Sequence, residues 1–302
     1  MDALTHILRH LGLRAGIFAH ARYCGRWAVD TSGSRAATFH LVQHGETWLQ
    51  LPEQEPRQLG PGDLVMFPRD DAHLIASDPE PFAADEVNRA IPVETAPDVV
   101  MLCGYFAFSG RSAWPLLDSL PDAVIVSCAG DVSRPCRTSA LLDLIADELA
   151  AAQPGSDALI ESYAHALFIH VIRKAIEDGL VRGMLPALTD PQIGRALNRI
   201  HAAPEETWTV ESLADEALLG RTAFAQRFRQ LTDMTPMQYL TRWRMDLAVE
   251  LLGDTHLSMA TIAERCGYGS EVAFRKAFRK VVGEPPGAVR RARREAAAGL
   301  DP

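Results

Sequence analysis

No apolar run in these 302 residues approaches the roughly 20 needed to cross a bilayer. The first residues also lack the basic, apolar and small-residue succession of a signal peptide. A cytoplasmic protein with no membrane partner is the resulting expectation. Cysteine is scarce: the five present (Cys24, Cys103, Cys128, Cys136 and Cys266) show neither CxxC nor disulfide-framework spacing, which argues against a secreted scaffold. Positive charge is lacking as well, since the formal net charge is −9. Nor is there any arrangement of the Ser-His-Asp or paired-carboxylate type, so the chain is not expected to be an enzyme.

The charge deficit is uneven. The first 203 residues hold 16 basic and 25 acidic side chains, whereas from Pro204 onward the two are equal at 14 each. Between Ala217 and Arg294 the balance reverses to 14 basic against 7 acidic. A basic stretch inside an acidic chain suits local contact with phosphates, because such contact responds to the nearby field.

That stretch contains a repeat. SLADEALLGRTAFAQRFRQLTDMTP returns in altered form as TIAERCGYGSEVAFRKAFRKVVGEPP. Ala214 and Asp215 pair with Ala263 and Glu264 at an offset of 49. Phe224, Phe228, Arg229 and Pro236 pair with Phe274, Phe278, Arg279 and Pro286 at an offset of 50, so one residue is added in the connecting turn. Each copy reads as a short helix, a tight Gly-containing turn and a longer helix with aromatic anchors, the helix-turn-helix pattern. Phe224, Phe228 and Leu231 share one face of the first long helix, as Phe274, Phe278 and Val281 do in the second. The opposite face carries Thr222, Ala225, Gln226 and Arg229, with Arg221 at its start. In the second copy it carries Val272, Arg275, Lys276 and Arg279, with Ser270 an apt N-cap and Glu271 just inside. Short and basic side chains at a helix start are what a major groove accepts.

WTVESLADEALLGRTAFAQRFRQLTDMTPMQYLTRWRMDLAVELL followed by IAERCGYGSEVAFRKAFRKVVGEPPGAVRR closely resembles the AraC/XylS-type DNA-binding domain. The resemblance implies a long helix, about Pro236 to Leu252, between two modules that enter successive major-groove segments of double-stranded operator DNA. By position it implies base contacts from Arg221, Thr222, Ala225 and Gln226, then from Glu271, Val272 and Arg275. Asp233 stands where the family usually has Gly, and Gly220 where it often has a Ser cap. The first recognition helix is therefore expected to be less firmly held.

Met1 to Leu13 reads as a short amphipathic helix, serving as a lid or a dimer contact. From about Leu13 to Cys128 short apolar stretches alternate with Gly, Pro and acidic clusters, the rhythm of a β barrel or sandwich. FHLVQHGETWLQL and LGPGDLVMFPRDDAHLI resemble the two cupin motifs, and the N-terminal half is similar to the cupin-type sensor domains of certain AraC-like regulators. Arg137 to Gly179 is helical, and Leu159, Tyr163, Leu167 and Val171 form a stripe that packs on the barrel or meets its copy in a homodimer. Leu180 to Pro191 reads as a hinge. The expected architecture is α+β in two domains. Residues 1–136 form a cupin-like barrel, 137–189 a helical dimerisation segment and linker, and 190–302 an all-α double helix-turn-helix domain. RNA polymerase is the expected protein partner.

Two clusters compete for the sensing role. His40 and His44, four apart on a strand, should share a face, with His73 returning to the interior. Three converging imidazoles would bind a divalent metal such as zinc, nickel or iron. The enzyme pattern, however, wants two His separated by one residue plus a downstream Glu, and the other reading is a degenerate pocket in which His40 and His73 bond each other or the backbone. Cys24 and Cys103 each precede Gly and are either small buried hydrophobes or a redox pair. The N-terminal half also resembles the reactive-chlorine-sensing regulators of the family, whose matching cysteines respond to oxidants. Cys128 and Cys136 are a weaker second pair, and Cys266 is a packing residue. The reading is thus a DNA-binding regulator that senses an oxidant through cysteines; the alternatives are a small-molecule or metal receptor domain and a metal-dependent cupin enzyme.

Overall fold

The computed structural model describes residues 2–89, 97–108, 113–127, 137–253 and 256–298. Cys128 and Cys136 lie outside them. The chain opens with α1 (Ala3–Arg9) and continues through β1 (Leu13–Tyr23), β2 (Ala28–Val29), β3 (Ala37–His44), β4 (Thr47–Gln50) and β5 (Arg57–Leu59). It proceeds through β6 (Leu64–Phe67), β7 (Leu74–Ala76), β8 (Val99–Phe108), α2 (Ala113–Leu117) and β9 (Val124–Val126). Helices follow: α3 (Arg137–Ala151), α4 (Ser156–Glu177), α5 (Met184–Thr189), α6 (Ile193–Ala202), α7 (Val210–Glu216) and α8 (Arg221–Thr232). The last are α9 (Pro236–Leu251), α10 (Met259–Arg265), α11 (Glu271–Val282) and α12 (Pro286–Ala298).

Two compact units divide the chain. The first comprises Leu13–Phe108 and Leu120–Val181. Its strands form two antiparallel sheets, ordered β1-β8-β3-β6-β9 and β2-β7-β4-β5. Trp27, Val42, Leu49, Leu59, Val65, Phe67, Ile75 and Met101 fill the core, and Cys103 packs among them. Gly104 is needed beside it: a Cβ there would lie 2.3 Å from Cζ of Phe39 and 2.7 Å from the Gly16 carbonyl oxygen. Helix α4 lays Ile160, Ala164, Leu167, Phe168, Val171 and Ile172 against β1, β9 and α3. The inner part of the apolar stripe is therefore spent on this unit, and Leu144 and Leu159 remain exposed.

The second unit comprises Met1–Gly12, Ser109–Ser119 and Arg182–Pro302. Helix α1 is capped by Asp2, whose carboxylate accepts the Thr5 N–H at 2.9 Å, and buries Ala3, Ile7 and nearby Leu11 against α6. The hinge expected over 180–191 contains a helix, α5, with Met184, Leu185 and Ala187 buried. Pro186 is tolerated because it lies in the first turn, where no helical hydrogen bond needs its N–H. Thr209 and Thr235 each form a capping box at the starts of α7 and α9. Phe224 and Phe228 anchor the first module, and Phe274 and Phe278 the second, all fully buried.

Candidate functional site

Helices α8 and α11 follow short turns from α7 and α10. In the first turn Leu218 takes the left-handed conformation with φ of 55°, and Gly267 takes it in the second with φ of 73°. The residue added to the second turn lies between Gly267 and the N-cap Ser270, which accepts the Ala273 N–H at 3.2 Å. Gly220 caps α8 without a side-chain bond. Gly267 is obligatory for a second reason: a Cβ would sit 2.4 Å from Nη2 of Arg244 on α9. That guanidinium donates to the carbonyls of Pro204 and Glu206, tying α9 to the chain before α7.

With the aromatic anchors inward, the other face of each helix is presented to water. Arg221, Thr222, Gln226 and Arg229 are exposed on α8, and Ala225 is half-buried. Ser270, Val272, Arg275, Lys276 and Arg279 are exposed at and along α11, with Glu271 half-buried and Val272 78 % exposed. Two of the arginines carry acidic partners, Arg221 with Glu211 at 2.9 Å and Arg275 with Glu271 at 2.6 Å. Exposed pairs of this kind stabilise little and leave the side chains free to reorient.

Arg227, absent from the sequence-based set, faces the other way. Its Nε and Nη2 donate to Oδ2 of Asp190 at 3.2 and 2.6 Å. Asp190 also accepts the N–H groups of Gln192 and Ile193, so one carboxylate both starts α6 and holds α8 to it. Its partner lies 37 residues away, beyond the reach of any local periodicity.

In the first unit His40 and His73 come together and His44 does not join them. A register shift between Val42 and His44 against β8 breaks the alternation, so His40 is buried and His44 exposed. A bulge of this kind turns every later side chain to the other face. The Thr31 hydroxyl stands between the two buried imidazoles, 2.9 Å from Nε2 of His40 and 2.8 Å from Nε2 of His73. Nδ1 of His40 lies 3.1 Å from Sγ of Cys103, and Nδ1 of His73 lies 2.8 Å from the Asp71 carbonyl oxygen. Burial drives His40 down to about 3 and lowers His73, while the Cys103 thiol is pushed up to about 12 by the same cause.

This arrangement does not fit the metal that a cupin fold implies. The third imidazole is turned outward, a hydroxyl occupies the point between the other two, and each of their remaining nitrogens is otherwise engaged. Among the described residues no group of three His, Cys, Asp or Glu side chains is placed to hold a metal ion.

Cys24 and Cys103 are also kept apart. Cys103 pairs with Ala19 across β1 and β8, and Cys24 lies beyond Tyr23, which pairs with Val99. Five residues of extended strand, at ~3.4 Å each, place their Cα atoms roughly 17 Å apart, against the roughly 4.4–6.8 Å a disulfide requires. A bridge between them would demand dismantling the β1–β8 pairing.

Comparison with known proteins accounts for both units. The cupin family matches residues 2–177, and a helix-turn-helix domain family matches residues 213–292. An AraC-like transcription regulator of Streptomyces lividans is 34 % identical over 304 residues, covering 96 % of this chain and 98 % of its own. The HTH-type transcriptional regulator AlkR of Acinetobacter baylyi is 31 % identical over 95 % of this chain and 98 % of its own. The RCS-specific HTH-type transcriptional activator RclR of Escherichia coli is 27 % identical over 96 % of this chain and 97 % of its own. Among the described residues no helix is long and apolar enough to cross a membrane. The chain belongs to the AraC-like transcription regulators with an N-terminal cupin domain, DNA-binding proteins rather than enzymes.

Proposed function

We propose that α8 and α11 read operator DNA in successive major-groove segments. The exposed face that each helix presents opposite its aromatic anchors carries this reading. Arg221, Thr222, Ala225 and Gln226 contact bases from α8, and Glu271, Val272 and Arg275 do so from α11. Val272, 78 % exposed, is an apolar group in water that gains by meeting a thymine methyl. Arg229, Ser270, Lys276 and Arg279 flank these positions and bind phosphates. The protein acts as a homodimer through the exposed Leu144 of α3 and Leu159 of α4, and passes its signal to RNA polymerase. Footprinting of the full chain on a selected duplex tests the reading. Two protected major-groove segments about one helical turn (~10 bp) apart per protomer are expected; protection of a single segment overturns it.

The signal in this proposal is an oxidant that reacts with cysteine. Support comes from the likeness to RclR, from the half-buried Cys24 at the end of β1, and from the imidazole beside Cys103. The two thiols act singly, since the strand register opposes a bridge. Operator binding by the full chain, with and without hypochlorite, should differ in wild type and not in the Cys24→Ser, Cys103→Ser double variant. A double variant that still responds removes the thiol reading.

A further inference from the structure

The hydrogen bonds around Thr31 have a fixed direction. The Asp71 carbonyl only accepts, so Nδ1 of His73 carries the hydrogen and its Nε2 is a lone pair. Thr31 therefore donates its hydroxyl proton to His73 and accepts from His40, whose Nε2 carries the hydrogen. That leaves Nδ1 of His40 as an acceptor facing the Cys103 thiol. The chain runs one way, from Cys103 through His40 and Thr31 to His73.

We propose that this chain is a proton relay that makes Cys103 a nucleophile, with His73 as the final base and Thr31 as the link between the two imidazoles. It rests on the reading of Cys103 as an oxidant-responsive thiol and names how that thiol loses its proton. When Sγ attacks an electrophile, the thiol proton passes to Nδ1 of His40. The Nε2 proton of His40 moves to the Thr31 oxygen, and the hydroxyl proton of Thr31 moves to Nε2 of His73. With a hypohalous acid the sulfur–halogen bond forms, the halogen–oxygen bond breaks, and hydroxide leaves with the electron pair. Sulfur is oxidised by two electrons and the halogen reduced by two.

Acidic groups gather at the far end of the chain. Burial is the largest influence on His73 and lowers it, and against that the Asp71 carbonyl and the carboxylates of Asp30, Asp70 and Asp71 favour the charged ring. Two of these carboxylates also hold the loop that carries Thr31: Asp30 accepts the Ser32 N–H at 2.8 Å, and Asp70 accepts the Arg35 N–H at 2.6 Å. The imidazolium thus forms on His73, within the influence of three carboxylates, and not on His40 beside the buried Cys103, where a thiolate–imidazolium contact would have to form without water. Thr31 is a positioning residue in this scheme, because it touches neither sulfur nor oxidant.

The test uses the full chain with methyl methanethiosulfonate as probe and mass spectrometry to follow each cysteine. Sγ displaces methanesulfinate from the probe, so the same proton must leave. Thr31→Val keeps the shape and removes the hydroxyl; it should slow Cys103 labelling about tenfold, the worth of one such hydrogen bond, and leave Cys24 unchanged. Thr31→Ser should restore the rate. Ring nitrogen NMR of wild type should show His40 protonated at Nε2 and His73 at Nδ1, a readout that does not depend on any variant folding. Equal Cys103 rates in wild type and Thr31→Val, or His40 protonated at Nδ1, overturns the relay. Correct ring protonation and the Thr31 dependence, in a protein whose operator binding ignores hypochlorite, leaves the relay standing and removes the oxidant signal instead.

Discussion

Asp233 and Gly283 occupy the same left-handed position at the ends of α8 and α11, with φ of 57° and 91°. Each returns its backbone N–H to the arginine four residues earlier, Arg229 in one helix and Arg279 in the other. A residue with a Cβ is strained in this region and glycine is not. Asp233→Gly should therefore raise the stability of the first module by about 1 kcal/mol, and Gly283→Asp should lower that of the second by a similar amount. Thermal unfolding of the full chain checks both signs.

Gly104 and Gly269 make a matched pair for a packing test. A Cβ at Gly104 would enter the Phe39 ring, while one at Gly269 would meet nothing within 4 Å. Gly104→Ala should cost about 1–3 kcal/mol through overpacking, and Gly269→Ala should be close to neutral. Denaturant titrations that rank them the other way would show that β1, β3 and β8 do not approach as closely as described.

Asp190 gives a prediction for pH. Burial pushes its carboxyl up, but hydrogen bonds from Arg227, Ile193 and Gln192 outweigh this, and the net shift is below the ordinary 3.8. A depressed carboxylate contributes stability that is complete above the unfolded value and is lost as pH falls through the folded one. Asp190→Asn should therefore be less stable than wild type at neutral pH, and the gap should close as pH drops below about 3.8. A gap independent of pH would mean that the carboxylate charge contributes nothing to joining α6 and α8.

The two helix-turn-helix modules were legible because their anchors recur. Phe224 and Phe228, with Phe274 and Phe278, fix both the inward faces and the outward ones. The barrel was legible from Leu13 onward through its short apolar stretches and the return of His73. What was hidden depends on contacts distant in sequence. Period-two alternation placed His44 beside His40, and a single bulge undid it. The separation of Cys24 from Cys103 follows from the β1–β8 register, which no local pattern encodes. Arg227 looked like one more basic residue on α8 until Asp190 appeared beside it. The apolar stripe of α4 left barrel packing and dimerisation open, and the buried Leu167 and Val171 spend its inner part against the strands and α3.

The central claim is that both exposed helix faces bind DNA selectively, and the most direct test is affinity against salt. The full chain would be titrated onto a duplex selected from a random library, in wild-type, Gln226→Ala, Arg275→Ala and Arg279→Ala forms. Log Kd should rise linearly with log salt in wild type. The first two variants should each lose about 1–3 kcal/mol on the selected duplex and little on unrelated DNA. Arg279→Ala should weaken all sequences alike and reduce the salt slope by about one. Affinity that ignores salt, or base-contact variants in both helices that bind the selected duplex as wild type does, would contradict the account.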